Sequence, residues 1–145
     1  MDNDYPWGLL SCLMAVFIGF IFAFYLLPLL GSGAELSGTL APQSITTPIA
    51  VQVSQSLHGI VSLTAAIVVF VGLLGATFGF SLLKLVGVKN KQAVGLAIGC
   101  ASHVLGTAKA LENDQEIGAF SSLALIVCAI LTAILMPILF HFLIV

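Results

Sequence analysis

Charged residues fall in a few clusters along the chain, and long uncharged runs lie between them. Asp2 and Asp4 open the sequence, Glu35 stands alone, Lys84, Lys89 and Lys91 form one group, and Lys109, Glu112, Asp114 and Glu116 form another. No charge occurs over 7–30, 36–83, 92–108 or 117–145. A membrane-spanning helix needs roughly 20 mostly apolar residues, because it rises ~1.5 Å per residue through a hydrocarbon layer about 30 Å thick. Stretches 7–30, 59–83 and 117–141 meet that need. Lipid offers no partner to backbone N–H and C=O groups, so a spanning segment is a helix or part of a closed barrel. Continuous apolar runs lack the alternation of barrel strands. The pattern therefore predicts three helical spans.

Two uncharged segments do not read as ordinary spans. Residues 36–57, LSGTLAPQSITTPIAVQVSQSL, are too polar and too proline-broken for a lipid-facing helix. Pro42 and Pro48 each remove a backbone donor. Thr47 followed by Pro48 predicts a helix start, with a hydroxyl at the cap and proline in the first turn. The expectation is a broken helix with 43–47 unwound, buried in protein or lining a wet cavity. The new helix N-terminus would then present free N–H groups to an anion. The alternative reading is an interfacial loop followed by a surface helix outside the membrane.

Residues 92–111, QAVGLAIGCASHVLGTAKAL, carry small residues at helical spacing: Gly95, Gly99, Ser102 and Gly106. Such a face lets another backbone approach closely. His103 and Thr107 share that side, and Lys109 follows near its end. An ionisable residue inside a span is a functional candidate by default. The other reading of His103 is a packing hydrogen bond across a helix interface. His58 and His141 fall near span ends, where a structural role is expected. Gly72, Gly75 and Gly79 form a second small stripe, read as packing.

Composition narrows the class further. Of 145 residues, 60% are hydrophobic and 7% charged. Soluble domains carry about 25% charged residues, so a water-soluble globule is excluded. With four lysines and no arginine, the chain lacks the basic stripe that nucleic acid requires. Intrinsic disorder is excluded by the apolar content. The acidic start and long first run argue against a cleaved signal peptide, and Tyr5, Trp7 and Tyr25 look like interface anchors. Lys84, Lys89 and Lys91 place their loop in the cytoplasm by the positive-inside rule. If 92–111 crosses the membrane, the acidic turn 112–116 lies outside and the C-terminus returns to the cytoplasm.

Enzymatic chemistry finds little support. Ser102 and His103 are adjacent, and neighbouring side chains on a helix do not face each other. No metal-protease, phosphate-loop or hydrolase motif occurs. Cys12, Cys100 and Cys128 lie in apolar segments without metal-binding spacing and read as small packing residues. No cofactor or metal is expected.

Four motifs carry a family resemblance. APQSITTPIA at 41–50 resembles the P-K-S-x-T-T-P-I-A signature of the LrgB/CidB family, and ASHVLGTAKA at 101–110 resembles its S-H-x-x-G-T-A-x-A signature. GAFSSLA at 118–124 and LTAILMPIL at 131–139 match in order and spacing. The resemblance runs from about residue 8 to the C-terminus. Family members typically carry further N-terminal spans, so the chain resembles the C-terminal portion. Gln43 stands where the family commonly has Lys, replacing a cation with a hydrogen-bonding amide. The resemblance implies one of two functions. One is a carrier of small monocarboxylates such as pyruvate or glycolate, acting with an LrgA/CidA-like partner. The other is a holin-like or antiholin-like regulator of murein hydrolase export and autolysis.

The resulting expectation is a single all-α membrane domain over 1–145, a polytopic bundle with three full spans and two broken or short helices. It is expected in the bacterial inner membrane, as a homo- or hetero-oligomer. Two polar interruptions favour the carrier reading. Gln43, Ser44, Thr46, Thr47, Pro48, Ser102, His103, Gly106 and Thr107 are its candidate substrate contacts, with His103 the candidate for proton coupling. Segments 42–48 and 102–107 are expected to lie together.

Overall fold

The computed structural model describes residues 5–143, with side chains over 10–142. Asp2 and Asp4, and the side chains of Tyr5 and Trp7, lie outside the described residues. Within that range the chain is all-α. Helix α1 (Tyr5–Ile21) continues through a π-helical turn, Phe22–Leu26, into Leu27–Leu29. Then follow α2 (Ala34–Leu40), α3 (Thr47–Ser56), α4 (Val61–Leu85), α5 (Lys91–Asn113) and α6 (Gln115–Leu143).

Four stretches are long and apolar enough to cross a membrane: Leu10–Leu29, Val61–Leu85, Lys91–Asn113 and Gln115–Phe142. The third is folded back on itself. Inside α5, His103 has φ 40° and ψ −136°, which breaks the helical path. Lys91 Nζ lies 2.6 Å from Asp114 Oδ2. A straight helix would hold those residues about 35 Å apart. Residues 91–102 and 104–113 are therefore two antiparallel legs with their tip at His103. Val94 and Ile98 of one leg share a small core with Ala110 of the other.

Helices α2 and α3 make another hairpin, the first in chain order, with the one inside α5 the second. The Ile60 N–H donates to Thr39 Oγ1 at 2.8 Å, and Thr64 Oγ1 donates to the Thr39 carbonyl at 3.0 Å. A Cβ on Gly38 would strike the backbone of Leu57. The tip is the non-helical stretch 41–46, where Pro42 and Pro48 disfavour a continuous helix. α3 begins at Thr47 with Thr46 at the N-cap and no side-chain cap bond, one residue earlier than the sequence pattern places the cap.

Helix α4 connects the two hairpins. Thr64 at its start touches the base of the first hairpin, and Leu83 at its end packs on the base of the second. The hairpins thus enter from opposite membrane faces. Residues 34–85 and 91–143 are two units of one design, hairpin then span, in opposite senses. The three full spans are α1 with its extension, α4 and α6.

This topology corrects one expectation. Residues 92–111 do not cross, so the acidic turn shares a face with the lysines: Lys91 reaches Glu116 at 3.7 Å as well as Asp114. The C-terminal end of α6 lies at the opposite face.

Three helix ends share one closure. Gly31 (φ 88°), His58 (φ 57°) and Gly87 (φ 79°) are left-handed, and the following N–H reaches back to the carbonyl five positions earlier. This is the Schellman closure. His58 has the structural role its position suggests.

Small residues set the packing distances. A Cβ on Gly95 or Gly99 would strike the α6 backbone at Ile117 or Ser121. A Cβ on Gly72, Gly75 or Gly79 of α4 would strike His103, Ser102 or Ile98 of the second hairpin. Both glycine stripes are packing faces, as lipid-embedded helices require. Gly106 instead faces Ser102 across the hairpin itself. Phe70, Leu73, Phe78 and Leu82 of α4 and Ile126, Ile130 and Ile134 of α6 point outward as an apolar exterior.

Candidate functional site: a cavity under the first hairpin tip

A cavity of about 930 Å³ lies between α1, the tip of the first hairpin, the leading leg of the second and α6. The tip supplies residues 41–45, the leg supplies Gln92, Leu96 and Cys100, α1 supplies Ser11 and Gly19, and α6 supplies Cys128, Thr132 and Met136. Asn90, at the base of the second hairpin, lines the other end. Thr132 is 17 residues into α6, about 26 Å of rise. The cavity therefore reaches from the lysine-bearing face deep into the membrane. Its hydroxyl and amide lining is neutral: Gln43 and Ser44 at the tip, Asn90 and Gln92 at the mouth, Thr132 on the floor and Ser11 on α1. Among the described residues, no ionised side chain lines it.

The fold separates the sequence candidates into two groups. Gln43 and Ser44 are half-buried and face the cavity. Thr46 and Thr47 are half-buried and Pro48 is exposed, and none of them lines it. Ser102, His103, Gly106 and Thr107 are buried elsewhere. His103 is 3% exposed, and its Nε2 lies 2.7 Å from the Val68 carbonyl of α4. A carbonyl only accepts, so Nε2 carries the proton and donates. Gly72 leaves the room for this ring, and Gly75 the room for Ser102. Thr107 Oγ1 pairs with Ser121 Oγ of α6 at 2.8 Å.

Residues 42–45 line this cavity and residues 102–107 do not, so the two segments do not share one lining as expected. The reversal at His103 turns residues 102–107 toward α4 and α6. What faces the first tip is the preceding leg, through Gln92, Leu96, Cys100 and Ala101. Sequence reading passed over Gln92 and Thr132, although each is a polar residue in an uncharged run. It also missed the meeting of the three cysteines. Cys12 Sγ is 3.5 Å and Cys128 Sγ 3.2 Å from Cys100 Sγ.

Outside the membrane layer, Asp114 caps α6. Its Oδ1 accepts the N–H groups of Glu116 (2.9 Å) and Ile117 (3.2 Å) while Oδ2 pairs with Lys91. The Lys91 hydrogen bond, followed by that of Ile117, holds this carboxyl below the usual carboxylate range.

Comparison with known proteins adds a family. The LrgB-like family model matches residues 6–142. The chain is 42% identical over 130 residues to an uncharacterized protein of Haemophilus influenzae, covering 90% of the chain and 56% of that protein. It is 41% identical over 129 residues to the holin-like protein CidB of Staphylococcus epidermidis, covering 89% and 56%. It is 35% identical over 136 residues to the uncharacterized protein YxaC of Bacillus subtilis, covering 92% and 57%. The chain thus spans just over half the length of these curated relatives. No solved structure matches it.

Proposed function

The chain belongs to the LrgB-like family, and from that footing we propose that it is a carrier, or a carrier subunit, for small monocarboxylates of the pyruvate and glycolate type. It is a multi-pass protein of the bacterial membrane. The observation that carries the proposal is the deep neutral cavity closed by a non-helical hairpin tip. Broken helices meeting near the middle of the membrane are the usual construction of a transport site, and inverted repeats are the usual construction of alternating access. The Gln43 amide and Ser44 hydroxyl would donate to a carboxylate there, with Gln92 and Asn90 at the entrance. By the positive-inside rule that entrance is cytoplasmic, since all four lysines lie at its face. On this reading the chain is not an enzyme. It works as a homo- or hetero-oligomer, and an LrgA/CidA-like membrane protein is the partner.

A second reading starts from the relatives named holin-like protein CidB: the chain would be a holin-like or antiholin-like regulator of murein hydrolase export and autolysis. Proteoliposomes separate the two. Saturable uptake of labelled pyruvate, glycolate or lactate, with or without an LrgA-like protein, is expected of a carrier. Non-selective leakage of an encapsulated dye without saturable uptake would overturn the carrier reading in favour of the holin-like one.

A further inference from the structure

Cys12 of α1, Cys100 of the second hairpin and Cys128 of α6 bring three sulfurs to one point. All three Sγ atoms lie within 4.8 Å of one another, and all are free thiols. Cys12 is 1% and Cys128 3% exposed, yet Cys100 and Cys128 line the cavity, so the cluster is reached from the lysine-bearing face. The three donors come from three separate elements, 88 and 28 positions apart in two of the pairs.

The geometry points to a binding site for a soft, three-coordinate ion, of which trivalent arsenic is the best match. Sulfur-only donors select thiophilic ions and reject hard cations, which demand oxygen. Shape and charge narrow the choice. With a bond to sulfur of about 2.3 Å, a planar trigonal ion sets the sulfurs about 4.0 Å apart and a pyramidal one about 3.3 Å. The two separations from Cys100 Sγ, 3.2 and 3.5 Å, match edges of the pyramid, and the third pair lies within 4.8 Å. Three thiolates around a monovalent or divalent ion leave net negative charge at membrane depth, which is costly. Three thiolates around a trivalent ion leave none. Arsenous acid enters neutral: As(OH)3 exchanges three As–O bonds for three As–S bonds, each thiol proton leaves with a hydroxide as water, and arsenic stays trivalent. The site does not depend on the carrier reading. It ties α1, the second hairpin and α6 together across the cavity wall.

The test uses the full chain in detergent, kept reduced under argon and titrated with arsenite. One arsenic retained per chain after gel filtration, loss of all three titratable thiols and a raised Tm are expected. Cys100→Ser and Cys12→Ser should each reduce retention at least tenfold, with an unchanged circular dichroism spectrum. Should a variant fail to fold, the wild-type chain still decides: arsenite should slow modification of Cys100 by N-ethylmaleimide at least tenfold, and zinc should not. Retention that survives Cys100→Ser, or equal modification rates with and without arsenite, would overturn the site. Saturable carboxylate uptake is measured separately, so its failure would leave this result standing.

Discussion

Lys91 and Asp114 bracket one helical stretch, yet Lys91 Nζ and Asp114 Oδ2 are 2.6 Å apart. Length and composition alone present Lys91–Asn113 as a membrane crossing. The ion pair shows a hairpin that enters and leaves by one face. That changes the sidedness of everything after it, including the C-terminal end of α6. Single cysteines placed at Lys89, Glu116 and Glu35, in a background lacking the native thiols, test this with a membrane-impermeant maleimide on sealed vesicles. Lys89→Cys and Glu116→Cys should label from the same side, and Glu35→Cys from the other. Labelling of positions 89 and 116 from opposite sides would restore a straight crossing.

Asp114 has two duties at that turn, capping α6 and pairing with Lys91. Its native acidity is strengthened, so its charge stabilises the fold fully above the ordinary carboxylate value of about 3.9 and loses that effect as pH falls through the lower native value. Asp114→Asn should lower Tm less than Asp114→Ala, because the amide oxygen can still cap. The gap between wild type and Asp114→Asn should be level from pH 5 upward and close below pH 4. Added salt should narrow it, as both partners of the pair are solvent-facing. A gap that widens in acid would contradict the assignment.

The α4 glycines face the hairpin tip with no room to spare. A Cβ on Gly72 would lie 2.6 Å from His103 Nε2, and one on Gly75 would strike Ser102. Forcing bulk into such a contact costs about 1–3 kcal/mol. Gly72→Leu, Gly75→Leu and Gly99→Leu should each lower Tm and yield more than Leu96→Ala. Gly33→Ala is the control, since nothing lies within 4 Å of a Cβ there. Thermal melts of the five proteins in one detergent measure the order.

Much of this fold was legible in the sequence because lipid leaves few alternatives. Runs without charge become spans, and Pro42 with Pro48 marks the first tip. The second tip carried no such mark. Residues 98–106, IGCASHVLG, read as uninterrupted helix, and the reversal falls on a histidine rather than a glycine or proline. Periodicity placed His103 and Thr107 on one face, which holds for a straight helix and fails across a kink. Gln43 and Ser44 were legible as cavity residues because polar groups beside proline cannot face lipid. The cysteine cluster was not, because long-range contacts between spans leave no local pattern.

His103 donates to the Val68 carbonyl and stands outside the cavity lining. That geometry favours the packing role weighed for it over proton coupling. The Val68 carbonyl also lies within α4, so the lost bond alone is worth about 0.5–1.5 kcal/mol net. His103→Ala should lower Tm, and His103→Gln should recover part of it because an amide N–H can donate. Uptake by His103→Gln should keep the wild-type pH profile. A profile that flattens in the glutamine variant while Tm holds would return His103 to a coupling role.

Gln43 offers the sharpest test of the cavity as the substrate site. It is half-buried at the first tip and faces a cavity with no ionised group among the described lining residues. A neutral donor lined up on a carboxylate gives a hydrogen bond, whereas an ammonium gives a charge-assisted one of roughly twice the strength. The ammonium also has to be held in place without substrate, at a cost that grows with burial. Gln43→Lys should therefore lower KM for a monocarboxylate three- to thirtyfold while lowering Tm, and the KM effect should shrink as salt rises. Gln43→Ala should raise KM about tenfold, in line with loss of one hydrogen bond. Thr47→Ala, outside the lining, should leave KM within twofold of wild type. Concentration-dependent uptake into proteoliposomes at two salt concentrations measures all three. Equal KM values for Gln43→Ala and wild type would place the substrate away from the first hairpin tip.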